Sequence, residues 1–237
     1  MTLDTRLKLF LTLAGLFISA LLVGDLLGGK LFEVDVFGQA LTLSVGIIPF
    51  PMTFLLTDLL NEFYGKRAAR TVTWVGFAMA CFTFAIISLA LALPWAPFTQ
   101  ADDYAGMSQP HFDNVFGGSR RILLASLVAY LASQFADIAI FHLIKKRTQN
   151  RLLWFRATGS TVVSQLIDTV LIQTLAWWGV VPAHKLPGLI LSSYAVKVVA
   201  AIALTPLIYA GHALVERGLN VQSQVLGHSG EPITVSA

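Results

Sequence analysis

Long apolar runs, broken by short polar stretches, fill most of this chain. Six windows, at 8–28, 38–61, 70–93, 119–144, 158–181 and 188–213, are apolar over the roughly 20 residues that a bilayer core demands of a helix. The pattern predicts an all-α, polytopic membrane protein, with six transmembrane helices forming a single domain over residues 1–217. From about Gly218 the sequence turns polar and aperiodic, so 218–237 is expected to be a disordered cytoplasmic tail. Arg6 and Lys8 precede the first window, as in a signal peptide. Its apolar run is longer than a usual signal core and no small-x-small site closes it, so it reads as a mature helix.

Local features refine this picture. The second window contains Pro49-Phe50-Pro51, and a proline inside a helix removes a backbone bond and clashes with the preceding turn. A kink or break near mid-membrane is expected there, with freed carbonyls facing protein or a wet cavity. In the first window Gly15, Ser19 or Ala20, Gly24 and Gly28 recur at the spacing that lets a second helix approach closely. The aromatic outer stretch 94–118 is long enough to serve as a lid.

Composition changes the choice of solvent. Of the 237 residues, 56% are hydrophobic and only 12% are charged, where a soluble domain carries about 25%. Lipid must therefore surround most of the chain. Cys81 stands alone and excludes an internal disulfide. The net charge of +3 is modest and its basic residues cluster between the windows, which points to membrane orientation and away from nucleic acid. With the N-terminus in the cytoplasm, the inner segments hold Arg6, Lys8, Lys66, Arg67, Arg70, Lys145, Lys146, Arg147, Arg151, Arg156 and Arg217. The outer ones hold Lys30, Arg120, Arg121 and Lys185. Eleven against four puts both termini inside.

The chemistry lies in what interrupts the apolar runs. Asp58, Asp137, Asp168 and Lys197 fall within the windows, joined by Gln134, Gln165 and Gln173. Each charge costs on the order of 2.5–3.5 kcal/mol at a helix centre. Ser133-Gln134-x-x-Asp137 and Ser164-Gln165-x-x-Asp168 repeat one pattern on two helices of opposite direction. At helical spacing Ser126, Tyr130, Ser133, Gln134, Asp137 and Phe141 share one stripe. Thr161, Ser164, Gln165 and Asp168 form another, and Ser193, Tyr194, Lys197 and Thr205 a third. These groups are expected to converge on one hydrated cavity near mid-membrane or just below it. Carboxylates accept and amides both donate and accept, so the cavity suits a flat heterocycle with a guanine-like edge. A polar vitamin, an amino acid or a cation would also meet such groups. Tyr130, Phe141, Phe54 and Trp178 are candidate stacking faces, and Asp168 with Lys197 is a candidate ion pair.

Four strings carry a resemblance: PFPMTFLLTDLLNEFYGKRAAR (49–70), FDNVFGGSRRILLASLVAYLASQFADIAIF (112–141), LLWFRATGSTVVSQLIDTVLIQTLAWWG (152–179) and YAVKVVAAIALTPLIY (194–209). They closely resemble the queuosine-precursor transporter family, also called the VUT family, whose plan is similar to six-helix vitamin-binding S components. The resemblance implies uptake of the 7-deazaguanines preQ0 and preQ1 across the bacterial inner membrane, for tRNA queuosine synthesis. It implies no enzyme activity, no cofactor and no metal. Carried onto this sequence, the motif positions are Asp58, Asn61, Glu62, Arg121, Gln134, Asp137, Arg156, Gln165, Asp168 and Lys197. Tyr130 joins the substrate-binding set through its stripe. A substrate-binding subunit or carrier for another vitamin or nucleobase, docked on an ATPase, is the alternative. No GxxxxGK[ST] phosphate loop is present in the chain itself. An intramembrane aspartyl protease is disfavoured because the acids follow QFA and QLI, and a metal carrier because the five His residues are scattered. A homodimer is left open.

The charge asymmetry makes a direct prediction. In a Cys81→Ser background, a membrane-impermeant thiol reagent should label Asp103→Cys in intact cells and Arg147→Cys only after lysis. The opposite labelling would invert the topology.

Overall fold

A computed structural model describes residues 4–28, 30–36, 39–101, 104–117, 120–149, 152–179, 182–218, 225–226 and 232–233, without the side chains of 120–123 or those of most of the strand residues. The long elements are helices: α1 Thr5–Leu27, α2 Phe50–Ala92, α4 Arg120–Arg147, α5 Leu153–Trp177, α6 Leu186–Ala203 and α7 Thr205–Ala213. A single turn, α3 Gln109–Phe112, lies between α2 and α4. Two small hairpins complete the fold. Strand β1 Leu31–Val36 pairs antiparallel with β2 Gln39–Ser44, and β3 Val225–Leu226 with β4 Pro232–Ile233.

Side chains are sorted opposite to a soluble protein. Leu11, Leu16, Trp74, Phe82, Leu89, Val128, Val163 and Val199 are exposed, while Asp58, Asn61, Glu62, Gln134, Asp137, Arg156 and Gln165 are buried. An apolar exterior around a polar interior is stable only where lipid replaces water. Four stretches are long and apolar enough to cross a membrane: Thr5–Leu27, Val45–Ala92, Leu124–Arg147 and Ala183–Arg217. Helix α5 falls short of that hydropathy because Arg156, Ser160, Thr161, Ser164, Gln165 and Asp168 lie on it, yet it packs along the whole of α4. The chain is a polytopic helical membrane protein.

The second stretch is too long for one crossing. Helix α2 has 43 residues, about 65 Å at 1.5 Å per residue, against a hydrocarbon core of about 30 Å. Gly65 divides it, at φ 76° and ψ 178°, a conformation essentially confined to glycine. The chain reverses at that point, as its neighbours on α1 show. The Arg6 guanidinium donates to the Phe63 carbonyl at 3.0 Å and the Tyr64 hydroxyl to the Arg6 carbonyl at 2.6 Å. Gly24, near the other end of α1, faces Pro49. Beyond Gly65, Phe17 and Leu21 approach Gly76, and Leu22, Asp25 and Leu26 approach Ala80, Thr83 and Ile87. Segment 50–64 is thus antiparallel to α1 and segment 66–92 parallel to it. Leu9, Leu13 and Phe17 bury between them, against Leu56, Leu60, Phe63 and Val72.

Two expectations about helix 2 need correction. Helix α2 begins at Phe50, not residue 38, because Gln39–Ser44 pairs with Leu31–Val36 as β2 on β1. Pro49 and Pro51 do not kink it. They stand at its N-cap and first turn, where a missing backbone N–H costs nothing. The proline break falls instead at Pro206, where α6 gives way to α7. The small-residue stripe of α1 is not one contact face: a Cβ on Gly24 would press on Pro49, while Gly15 meets nothing within 4 Å. In the segment between α2 and α4, Trp95 packs edge-on to Phe112 and Phe98 to Tyr104. Most of the tail expected to be disordered lies outside the described residues.

Gly65→Ala should destabilise the fold by about 1–3 kcal/mol, the cost of a side chain in this backbone region. A fall in Tm of the detergent-solubilised protein, followed by circular dichroism, is the check. An unchanged Tm would mean that the reversal does not rely on glycine.

Candidate functional site

Helices α4 and α5 pack antiparallel and set the two Ser-Gln-x-x-Asp stretches against each other. Ser133 Oγ lies 3.4 Å from Asp168 Oδ1, and Ser164 Oγ lies 3.1 Å from Asp137 Oδ1. The reciprocity extends one step further. Ser133 Oγ also contacts the Tyr130 carbonyl at 3.2 Å, and Ser164 Oγ the Thr161 carbonyl at 3.1 Å. Each serine thus bridges its own helix, one turn back, to the acid of the other. The same four groups are exchanged by a local two-fold axis lying between the helices.

The two halves differ in how their acids are compensated. Asp168 Oδ2 accepts from Lys197 Nζ of α6 at 2.6 Å, and the Lys197 ammonium lies 5.0 Å from the Phe50 ring centre. This pair is partly open, at 18% and 17% side-chain exposure. Asp137 is fully buried, at 0%. Its Oδ2 has no hydrogen-bond partner, and its charged neighbour is Asp58 of α2, within electrostatic reach.

Other buried polar groups of α2, α4 and α5 also lack full partners. These are Asp58 Oδ1, Asn61 Nδ2, Gln134 Oε1, both ends of the Gln165 amide, and Thr169 Oγ1. A buried polar atom without a partner costs roughly 1–3 kcal/mol, so six or more together are a large charge on stability. Asp58 faces a cavity it shares with Phe54, Thr158, Thr161, Ala201, Leu204 and Ile208. The cavity holds about 20 Å³, room for about one water. These groups lie on α2, α4 and α5, but of the site residues expected from the sequence only Asp58 lines this cavity, which is too small for a heterocycle. The kink at Pro206 forms one wall of this cavity, through Leu204 and Ile208.

Toward the Gly65 bend the polar groups pair. Glu62 Oε2 accepts from Lys145 Nζ at 2.9 Å, and Glu62 Oε1 from Arg156 Nη2 at 2.6 Å. All three side chains are at most 4% exposed. The Arg156 guanidinium sits over the Phe141 ring, and His212 of α7 stands 3.9 Å from Glu62 and 3.5 Å from Glu216. Asn61 Oδ1 and His142 Nε2 are 3.2 Å apart. One carboxylate thereby ties α2, α4 and α5 together beside the Gly65 bend, with α7 alongside.

The remaining sequence candidates are more scattered. The Tyr130 hydroxyl donates to the Thr73 carbonyl at 3.1 Å and its ring lies near Phe17, which ties it to α1 and α2. Phe54 reaches the Asp58 cavity, whereas Trp178 is 66% exposed and does not line it. Arg121 lies in α4, but its side chain is outside the described residues. Sequence reasoning missed Asp25, whose Oδ1 accepts from Ser126 Oγ at 2.9 Å. It lies inside the first apolar window and was the one carboxylate there, signal enough to find it. It also placed Lys145 in an inner loop, where the structure buries it at 1%.

Residues 44–211 match the family model described as "Putative vitamin uptake transporter". A Bacillus subtilis protein named "Probable queuosine precursor transporter" is 33% identical over 184 residues, which cover 77% of this chain and 76% of that one. An Escherichia coli "Queuosine precursor transporter" is 30% identical over 134 residues, covering 56% and 54%. No solved structure matches the chain. With a family model spanning more than half its length, and a relative above 30% identity over three quarters of both chains, this protein belongs to the vitamin uptake transporter family.

Proposed function

We propose that this chain carries the 7-deazaguanine precursors of queuosine, preQ0 and preQ1, inward across the bacterial plasma membrane. Membership of the family and the names of two relatives support the substrate class. The observation that carries the reading is the buried, unpartnered set on three helices: Asp58 and Asn61, Gln134 and Asp137, and Gln165. In this reading Asp137, with Asp58 beside it, accepts from the N1–H and exocyclic amine of the base. The Gln165 amide nitrogen donates to its ring carbonyl, and Gln134 Oε1 accepts from one of its N–H groups. Phe54 offers an apolar face. The base satisfies groups that otherwise stand unpaired in a dry interior, and that gain offsets its own loss of water.

Six crossings fit this role, made by α1, 50–64, 66–92, α4, α5 and α6–α7, with both termini in the cytoplasm. In this reading the base enters as α6–α7 swings away from α5 and widens the small cavity beside Asp58. Lys197 leaves Asp168 in that movement. Glu62, Lys145 and Arg156 hold the inner ends together and Tyr130 fixes α4 on α2.

Calorimetry with the purified protein should detect both bases, with guanine as competitor. Asp137→Asn should weaken binding about 10- to 100-fold, the worth of a charge-assisted hydrogen bond. Gln165→Ala should weaken it about tenfold, and both variants should still reach the membrane. Wild-type affinity in Asp137→Asn would remove this acid from the site. Failure of the wild-type protein to bind either base would end the substrate assignment.

A further inference from the structure

We propose that the groove between segment 66–92 and α4 binds an anionic phospholipid, its phosphate on Lys66, Arg67, Arg70 and Lys146 and an acyl chain on Trp74 and Phe135. The inference goes beyond transport and uses no residue of the substrate site.

Contacts at both ends fix the groove. The Trp74 and Phe135 rings pack with their centres 5.3 Å apart. At the other end Asn61 Oδ1 and His142 Nε2 are 3.2 Å apart, and Glu62 binds Lys145 at 2.9 Å, just before the chain turns at Gly65. Segment 66–92 runs parallel to α1. Helix α4 runs antiparallel to α1, since Asp25 meets Ser126 and Phe17 lies beside Tyr130. Segment 66–92 and α4 are therefore antiparallel, and residues 66 to 74 lie along residues 146 to 135. Helical spacing sorts what they present. Lys66, Arg70 and Trp74 follow one another at i, i+4 and i+8, with Arg67 one turn before Arg70. Phe135, Ala139, His142 and Lys146 follow at i, i+4, i+7 and i+11. Arg67, Arg70, Ala139 and Lys146 are exposed, and Trp74 is 55% exposed. Ala139 is level with Arg70, and its small side chain leaves the groove open there.

The order of groups along the groove matches a phospholipid. At 1.5 Å per residue the cations of segment 66–92 stand roughly 6–12 Å from Trp74 toward the bend. A phosphate at that level meets the long basic side chains, and the chain below it passes over the two rings. Tryptophan is itself enriched where headgroups meet hydrocarbon. Charge selects the lipid. Glu62 is already held by Lys145 and Arg156. Among the described residues no carboxylate forms an ion pair with Lys66, Arg67 or Arg70. These cations border hydrocarbon, where an anion is the partner that lowers their cost, and a guanidinium grips a phosphate with two parallel hydrogen bonds. A soluble anion would satisfy the cations and leave Trp74 and Phe135 uncovered. A zwitterionic lipid would cover the rings and bring its own cation against Arg70.

The test uses the purified full chain in phosphatidylcholine vesicles that carry a rising fraction of phosphatidylglycerol brominated on its acyl chains, which quenches any tryptophan it touches. The Trp74 signal is the difference between the wild-type protein and Trp74→Phe. Half-quenching should come at about a tenth of the mole fraction, or less, that brominated phosphatidylcholine needs. Lys66→Gln and Arg70→Gln should each weaken that preference about fivefold, and together remove it. Lys185→Gln, beyond the far end of α5, should leave it intact. About 1 M salt should reduce it. Equal quenching by the two lipids overturns the proposal. So does a preference that survives Lys66→Gln with Arg70→Gln; the two single variants decide the matter where the double variant fails to fold. Glycerol phosphate that displaces the lipid at equal concentration also overturns it, in favour of a soluble anion.

Discussion

Hydrocarbon cannot hydrogen-bond to a carboxylate or an amide, and that constraint arranges the whole molecule. Every strongly polar side chain in the crossing segments must find a partner inside the bundle or remain unpaired there. Glu62 solves the problem with two cations, and Asp168 solves it with Lys197. Asp137 and Asp58 do not solve it fully, nor do Gln134 and Gln165. Interior polar groups arranged in this graded way, paired beside the Gly65 bend and unpaired farther from it, separate what holds the helices from what is left for a ligand.

Much of this was legible in the sequence. The apolar windows identify a helical membrane protein because the length of a spanning helix is set by bilayer thickness. The two Ser-Gln-x-x-Asp stretches were legible as faces because a period of 3.6 puts Ser, Gln and Asp on one side. Their mutual engagement was not. Sequence spacing fixes positions on a single helix, whereas the contacts of Ser133 with Asp168 and Ser164 with Asp137 depend on the register between two.

The misreadings have physical causes of the same kind. A proline pair looks the same in sequence whether it breaks a helix or begins one, and only the hairpin before Phe50 decides. Pro206 was passed over for the same reason, since the apolar run around it is unbroken. Gly65 sits among good helix formers, so nothing local announced a reversal there; the need for it lies in a helix twice as long as a bilayer. Lys145 closes a basic cluster that reads as loop. Its burial depends on Glu62, 83 residues away.

The exchanged Ser–Asp contacts of α4 and α5 have a consequence for direction. A pair of antiparallel helices related by such an axis presents the same groups to either leaflet, as a palindrome reads alike from both ends. Lys197 breaks the likeness. It gives one acid a counter-charge and its twin none, so the central pair acquires a polarity that its own sequence repeat does not contain.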